Sequence, residues 1–170
     1  MDTCRHEGPT PGPQELIDDA RRLCEERNQR FTPSRQQVFE IIARADGPVT
    51  AYEILDSLLG SGIEAAPPTV YRALEFLQHQ SLVHRLETLN AFVACEQPRV
   101  HHSCQFLICT ACGTTSEIDA NGVMSRLSSA ARVVGFTINE AMVELKGLCA
   151  RCRTALLNFT SRGVTRRPTS

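Results

Sequence analysis

Apolar positions recur at helical spacing through the first half of the chain. In "QELIDDARRLCEERN", Leu16, Ile17, Ala20, Leu23 and Cys24 share one face, which predicts an amphipathic helix over Gln14 to Asn28 and gives Cys24 a core role. In "FTPSRQQVFEIIARADGP", Val38, Ile41 and Ile42 form the buried stripe. Thr32 or Ser34 offers an N-cap, Pro33 fits the first turn and Gly47-Pro48 stops the helix, so a second one is expected from about Pro33 to Ala45. "TAYEILDSLLGSG" opens with the capping-box pair Thr50 and Glu53, carries Ile54, Leu55, Leu58 and Leu59 inward, and ends at Gly60 and Gly62. A fourth helix, "PPTVYRALEFLQHQ", is entered through Pro67-Pro68, with Val70, Ala73, Leu74 and Leu77 on one face and Thr69, Arg72, Glu75 and Gln78 on the other. "LVHRLE" and "AFVAC" then read as a hairpin turning at Thr88, Leu89 and Asn90. Helices followed by a hairpin is the order of a winged helix-turn-helix.

Beyond Pro98 the pattern changes. "QFLIC" and "TTSEID" read as strands, "GVMSRLSSAARVV" as a helix, "FTINEAMVELKGL" as a long alternating strand and "CARCRTALLNF" as a short helix or turn. The fold class is therefore α+β: an N-terminal winged helix-turn-helix and a small C-terminal α/β domain. The expected divisions are a flexible arm at 1–13, the winged helix at 14–90, a hinge at 91–98, the second domain at 99–158 and a disordered basic tail at 159–170.

The 170 residues, 42% hydrophobic, suffice for two small cores. No apolar run is long enough to cross a bilayer and "MDTCRHEGPTPGPQE" has no signal-peptide pattern, so a cytoplasmic location is expected. The formal net charge of −1 does not advertise nucleic acid. It hides an asymmetry: residues 1–90 hold nine Arg against fourteen Asp and Glu, whereas the remainder is net basic. A DNA-binding first domain would thus have to concentrate its positive charge on one face.

Eight cysteines in a reducing compartment read as thiols or metal ligands rather than disulfides. Cys109 and Cys112 form one CxxC pair and Cys149 and Cys152 another. Each pair can cover one edge of a tetrahedron, with Gly113 supplying the left-handed turn, and together they make a closed, structural Cys4 zinc site. Two unrelated pairs, or a thioredoxin-like redox role, are the competing readings; the latter lacks a strand-to-helix context. His84, Cys95, His101, His102, Cys104 and Glu117 crowd the link between the domains and are donors suited to zinc, although any one alone reads as a packing or surface residue.

"TPSRQQVFEII", "AYEILDSL", "PPTVYRALEFL", "LVHRLE", "FLICTACGTTSEID" and the closing "LCARC" together resemble the ferric uptake regulator superfamily, and within it the zinc uptake regulator branch, over roughly residues 14–155. The resemblance implies a winged helix that binds DNA, a C-terminal domain that dimerises, and a metal at the hinge that holds the two in a DNA-competent arrangement. It assigns structural zinc to Cys109, Cys112, Cys149 and Cys152 and regulatory zinc to His84, Cys95, His102 and Glu117, two ions per chain. His101 is the adjacent rival to His102, and Cys104 is a further candidate. The His-rich run typical of iron sensors is replaced by Ser103, Cys104, Gln105 and Phe106, and Cys95 is a soft donor; both favour zinc.

With the apolar stripe of the fourth helix packed inward, Thr69, Tyr71 and Arg72 are free to enter a major groove, Arg72 as a bidentate donor to guanine. Tyr52 resembles a further family contact, and Arg22 and Arg35 are candidates for phosphate. The expected function is zinc-dependent repression of zinc-uptake genes by a homodimer on palindromic operator DNA, with room for two dimers per operator. The alternatives are a sensor of iron or another metal from the same superfamily, or a constitutive DNA-binding protein with only a structural zinc. An enzyme is not expected: four protein ligands leave no open position for water, and no zinc-hydrolase or deaminase motif is present.

Overall fold

The computed structural model describes residues 11–99, 104–119, 121–138 and 141–162. The chain divides into two compact units, residues 1–103 and 104–170.

The first unit opens with α1 (Pro13–Glu26), entered through proline and closed by the Glu15 carboxylate, which accepts from the Gly12 N–H at 2.9 Å. Its apolar stripe, Leu16, Ile17, Ala20, Leu23 and Cys24, is buried as the periodicity demands. The helix stops two residues short of the expected Asn28, which takes a positive φ of 54° and ends the helical path. In α2 (Pro33–Arg44) the buried residues are Val38, Phe39, Ile42 and Ala43, while Ile41 is half-buried. Phe39 supplies the bulk that the expected stripe lacked, packing edge-on to Phe31 at 6.2 Å.

A two-residue strand, β1 (Val49–Thr50), precedes α3 (Ala51–Gly60). Thr50 serves both: it ends the strand and caps the helix, its hydroxyl accepting from the Glu53 N–H at 3.2 Å while Glu53 returns a carboxylate to the Thr50 N–H at 2.7 Å. Ile54 and Leu58 are buried, but Leu59, expected inward, is 52% exposed. α4 (Pro67–His79) begins with two prolines that lack the N–H groups a helix start leaves unpaired, so Ala66 needs no capping side chain. Val70, Ala73, Leu74 and Leu77 bury against the first three helices in one continuous core. Each large aliphatic side chain so buried is worth about 1.5–3 kcal/mol.

β2 (Val83–Leu86) and β3 (Ala91–Ala94) form the wing, turning at Asn90 with φ 48°. β3 lies in the middle of an antiparallel sheet of order β1-β3-β2. Residues 91–94, expected in a hinge, are thus a ladder strand of the first unit.

The second unit contains β4 (Cys104–Cys109), β5 (Thr115–Asp119), α5 (Asn121–Val133), β6 (Val143–Gly147) and α6 (Ala150–Arg162). The sheet order is β5-β4-β6, with β5 antiparallel and β6 parallel to the central strand. Two expectations are corrected. Among the described residues of "FTINEAMVELKGL" the expected long strand contracts to Val143–Gly147, because β4 offers partners only from Gln105, opposite Val143, to Cys109, opposite Gly147. α6 is a helix of 13 residues reaching Arg162, so residues 159–162, placed in a tail, are helical. Among the described residues no helix is long and apolar enough to cross a membrane.

Candidate metal centre and nucleic-acid interface

The parallel pairing of β4 with β6 decides where the cysteines meet. Cys109 ends β4 opposite Gly147, and Cys149 follows two residues later at the entrance to α6. Cys112 lies on the turn after β4, where Gly113 at φ 74° returns its N–H to the Cys109 carbonyl at 2.9 Å. Thr110 staples that turn to β6, its backbone N–H donating to the Gly147 carbonyl at 2.8 Å and its hydroxyl to the same oxygen at 3.2 Å. The Sγ atoms of Cys109, Cys112, Cys149 and Cys152 all lie within 4.8 Å of one another.

This set fits zinc. Four thiolates at the usual zinc–sulfur bond length stand about 3.8 Å apart along a tetrahedron edge, and the Cys112 and Cys149 sulfurs are 3.8 Å apart. Cys109 is buried, Cys149 and Cys152 half-buried and Cys112 exposed. Backbone amides already point at sulfur: Cys149 N–H donates to Cys109 Sγ at 3.3 Å and Cys152 N–H to Cys149 Sγ at 3.5 Å. Hydrogen bonds from the Thr114 side chain and backbone, then from neighbouring thiols, hold the Cys112 thiol down to about 5. Cys152 is pushed up to about 12, first by its bond to Cys112 and next by Cys149, because a thiol donating to a neighbouring thiolate resists losing its proton. Amides of Cys149, Ala111 and Cys112 lower Cys109. A divalent cation removes this conflict by stabilising all four thiolates at once.

Sequence reasoning missed two supporting residues. The Thr114 oxygen lies 3.2 Å from Cys112 Sγ. Arg151, between the second pair of cysteines, sits against the Cys112 thiolate, which raises its own affinity for a proton. Zinc with four thiolates carries about two net negative charges, so a cation there offsets part of the excess. Only the immediate neighbourhood of the CxxC pairs in the sequence could have suggested either residue.

The other expected ligands are distributed as follows. In the wing, His84 pairs across the ladder with Val93, and Cys95 follows β3 with its N–H donating to the Leu82 carbonyl at 2.9 Å. Cross-strand partners share a face and alternate residues return to it, so His84 and Cys95 occupy one face at the open end of the hairpin. Cys95 is buried and His84 half-buried. Glu117 is on β5 of the second unit, opposite Phe106, and half-buried. His101 and His102 lie outside the described residues, as do Cys4 and the side chain of Cys104.

Of the residues expected to meet DNA, α4 presents Thr69, Tyr71 and Arg72 to solvent, with Tyr71 52% exposed, and α3 presents Tyr52 at 70%. Burial of the opposite stripe leaves these side chains no alternative. Arg22 and Arg35, expected on phosphate, are engaged within the protein. Arg22 pairs with Asp19, and the Arg35 guanidinium lies 3.5 Å above the Phe76 ring while donating to the Arg30 carbonyl. Arg35 therefore braces α4 from α2.

Comparison with known proteins bears on what this arrangement serves. Residues 26–146 match the model of the ferric uptake regulator family. The chain belongs to that family. It is 40% identical over 142 residues to the zinc uptake regulation protein of Escherichia coli K12, covering 82% of each chain. It is 28% identical over 128 residues to the protein of the same name from Mycobacterium tuberculosis H37Rv, covering 74% of this chain and 95% of that one. Among solved structures, a zinc uptake regulator complexed with zinc and DNA superposes with a TM-score of 0.82 at 37% identity, covering 86% of this chain and 99% of the other. The crystal structure of holo XcZur superposes at 0.76 with 44% identity, covering 82% and 97%. The family's winged-helix-plus-α/β architecture and the four-cysteine centre expected from the CxxC spacing thus stand together in this chain.

Proposed function

We propose that this chain is a zinc-responsive transcriptional repressor of the zinc uptake regulator branch, binding palindromic operator DNA as a homodimer and controlling zinc-uptake genes from the cytoplasm. One zinc, held by Cys109, Cys112, Cys149 and Cys152, is structural. A second, held by His84, Cys95, His102 and Glu117, is regulatory. Thr69, Tyr71 and Arg72 of α4 read the major groove and Tyr52 adds a contact at the edge.

The observation that carries the reading is the closure of the four-sulfur centre. With every tetrahedral position taken by protein, that zinc neither exchanges readily nor does chemistry, and a sensor needs another set of donors. His84 and Cys95 on one face of the wing supply half of one, with a soft thiol that suits zinc better than iron. Because Glu117 belongs to the second unit and the other three donors precede residue 104, such a site would be complete in one relative orientation alone. Zinc then shifts the population toward that orientation, and DNA reciprocally tightens zinc. A near all-or-none response requires about 5.5 kcal/mol of differential binding. A symmetric dimer would thereby set its two α4 helices about 34–36 Å apart, the spacing of successive half-sites. Outer strand β6 with Leu145 48% exposed, and Val134 at 80% beyond α5, give the second unit apolar surface for a second copy.

Counting metal in purified wild-type and Cys95→Ser protein tests the assignment. Two zinc ions per chain falling to one in the variant is the expected result; a variant that keeps two removes Cys95 from the site.

A further inference from the structure

α4 turns one stripe of side chains to solvent. Pro68, Arg72, Glu75 and His79 recur at i, i+4, i+7 and i+11 and all four are exposed, while Val70, Ala73, Leu74 and Leu77 fill the opposite side. Arg72 and Glu75 stand three residues apart, a spacing at which opposite charges on a helix can pair. Here they do not: among the described residues neither side chain has a hydrogen-bond or salt-bridge partner. Other cations of the first unit are spent internally, Arg21 and Arg22 on Asp18 and Asp19 and Arg85 on Glu87. The exposed stripe of α4 therefore carries one cation and one anion, both uncommitted.

A carboxylate on a surface that meets DNA is unfavourable wherever it faces phosphate, because like charges repel. The first 90 residues already hold fourteen acidic side chains against nine arginines, so one more anion on the reading helix calls for a reason. It becomes favourable where a base offers a donor, and in the major groove the cytosine N4 amino group is the donor that a carboxylate fits. We propose that Glu75 is a specificity-determining residue of α4, accepting from a cytosine amino group at the base step next to the guanine met by Arg72. The inference rests on the DNA-reading role given to α4 above. The spacing suits it: three residues rise about 4.5 Å along a helix axis, and successive bases of one strand are about 3.4 Å apart. One turn of α4 thus brings a cation to the acceptors of one base pair and an anion to the donor of its neighbour. An ion pair between Arg72 and Glu75 would have to break first, and there is none. Where guanine or thymine takes the place of that cytosine, an acceptor oxygen meets the carboxylate and binding weakens. Glu75 then lowers affinity for arbitrary DNA more than for the operator, which is selectivity by repulsion.

Zinc-loaded full-length wild type, Glu75→Gln and Arg72→Ala are each used to select sites from a randomised duplex library, and affinities for the wild-type selected site and for a scrambled duplex are then measured. Wild type should enrich a guanine with a cytosine beside it in each half-site. Glu75→Gln should keep the guanine but accept any base at the cytosine position, losing ~10-fold in preference there. It should also bind the scrambled duplex ~5-fold more tightly, because a like charge has been removed. Melting temperature and zinc content should not move, since the Glu75 side chain is exposed and unpartnered among the described residues. A cytosine preference unchanged in Glu75→Gln, or equal gains on selected and scrambled DNA, overturns the proposal. Arg72→Ala separates it from the reading it rests on. If wild type enriches no motif, or Arg72→Ala enriches the wild-type motif whole, α4 does not read bases as assigned and Glu75 falls with it. If Arg72→Ala loses the guanine while Glu75→Gln keeps the cytosine, only the role of Glu75 is wrong.

Discussion

The sulfurs of Cys112 and Cys149 stand 3.8 Å apart although 37 positions separate them in the chain. Nothing local brings them together. The parallel ladder between β4 and β6 delivers Cys149 beside the Cys109 turn, and Thr110 pins that turn to the last residue of β6. Metal and sheet would therefore support each other: zinc held by the four cysteines would stand in for a second core in a unit whose described side chains include few that are deeply buried.

Cys152→Ser should consequently cost more than a ligand. The variant is expected to lose the structural zinc and to unfold residues 104–170 at a lower temperature than residues 11–99, giving two transitions where the zinc-loaded wild type resists chelator. Metal counting and a calorimetric scan with and without chelator check it. Apparent zinc free energies in small structural sites are about 10–16 kcal/mol, so the loss should dominate the stability of that unit.

Zinc uptake by the four-cysteine centre should release protons, and its affinity should rise with pH. Without metal Cys112 is held near 5 and is already a thiolate at neutral pH, but Cys152, pushed up to about 12, is protonated and must lose its proton to ligate. Calorimetric titration in two buffers of different ionisation enthalpy measures the release. A heat independent of buffer would contradict it.

Thr50→Ala should destabilise the first unit by about 1 kcal/mol, since it removes the α3 cap. The Glu53 carboxyl is held below its ordinary value of 4.5, first by the Thr50 N–H and then by the Thr50 hydroxyl. A depressed acid contributes stability above its unfolded value and loses it as pH falls through the folded one. Glu53→Gln should therefore flatten that contribution in the window below pH 4.5, as measured by denaturant unfolding across pH.

Arg72→Ala should weaken operator binding by about 1–3 kcal/mol and relax the base preference at one position of each half-site, if Arg72 reads guanine. A loss spread evenly over all sequences, with a smaller salt slope, would instead mark a phosphate contact. Binding to a panel of single-base operator variants at two salt concentrations distinguishes them. Arg35→Ala, by contrast, should show reduced stability, because its guanidinium is spent on Phe76.

What could be read from the sequence was what depends on short spacing. The stripe of α4, the Thr50–Glu53 box and the two CxxC pairs each occupy less than four turns of chain, and each forms as its pattern requires. What could not be read depends on a distant partner. The alternation from Phe136 to Leu148 is strand-like throughout, yet among the described residues strand forms only where β4 supplies a partner. Thr160 and Ser161 are weak helix formers that disguise the end of α6. Leu59 carries the right period but falls on a face that leaves it 52% exposed. The bonds from Arg99 to the Glu26 carboxylate and from Arg27 to the Pro98 carbonyl, joining residues more than 70 apart, leave no trace in local pattern at all.

The central claim is that a second zinc, at the hinge, switches DNA binding while the four-cysteine zinc only holds the fold. The most direct measurement is fluorescence anisotropy of labelled operator DNA across buffered free zinc, with zinc per chain counted at every point and ferrous iron run alongside. Affinity that rises as the count passes from one zinc per chain to two, with iron unable to substitute and Cys95→Ser unresponsive, is the predicted result. Affinity indifferent to metal beyond the first ion, or restored equally by iron, would contradict it.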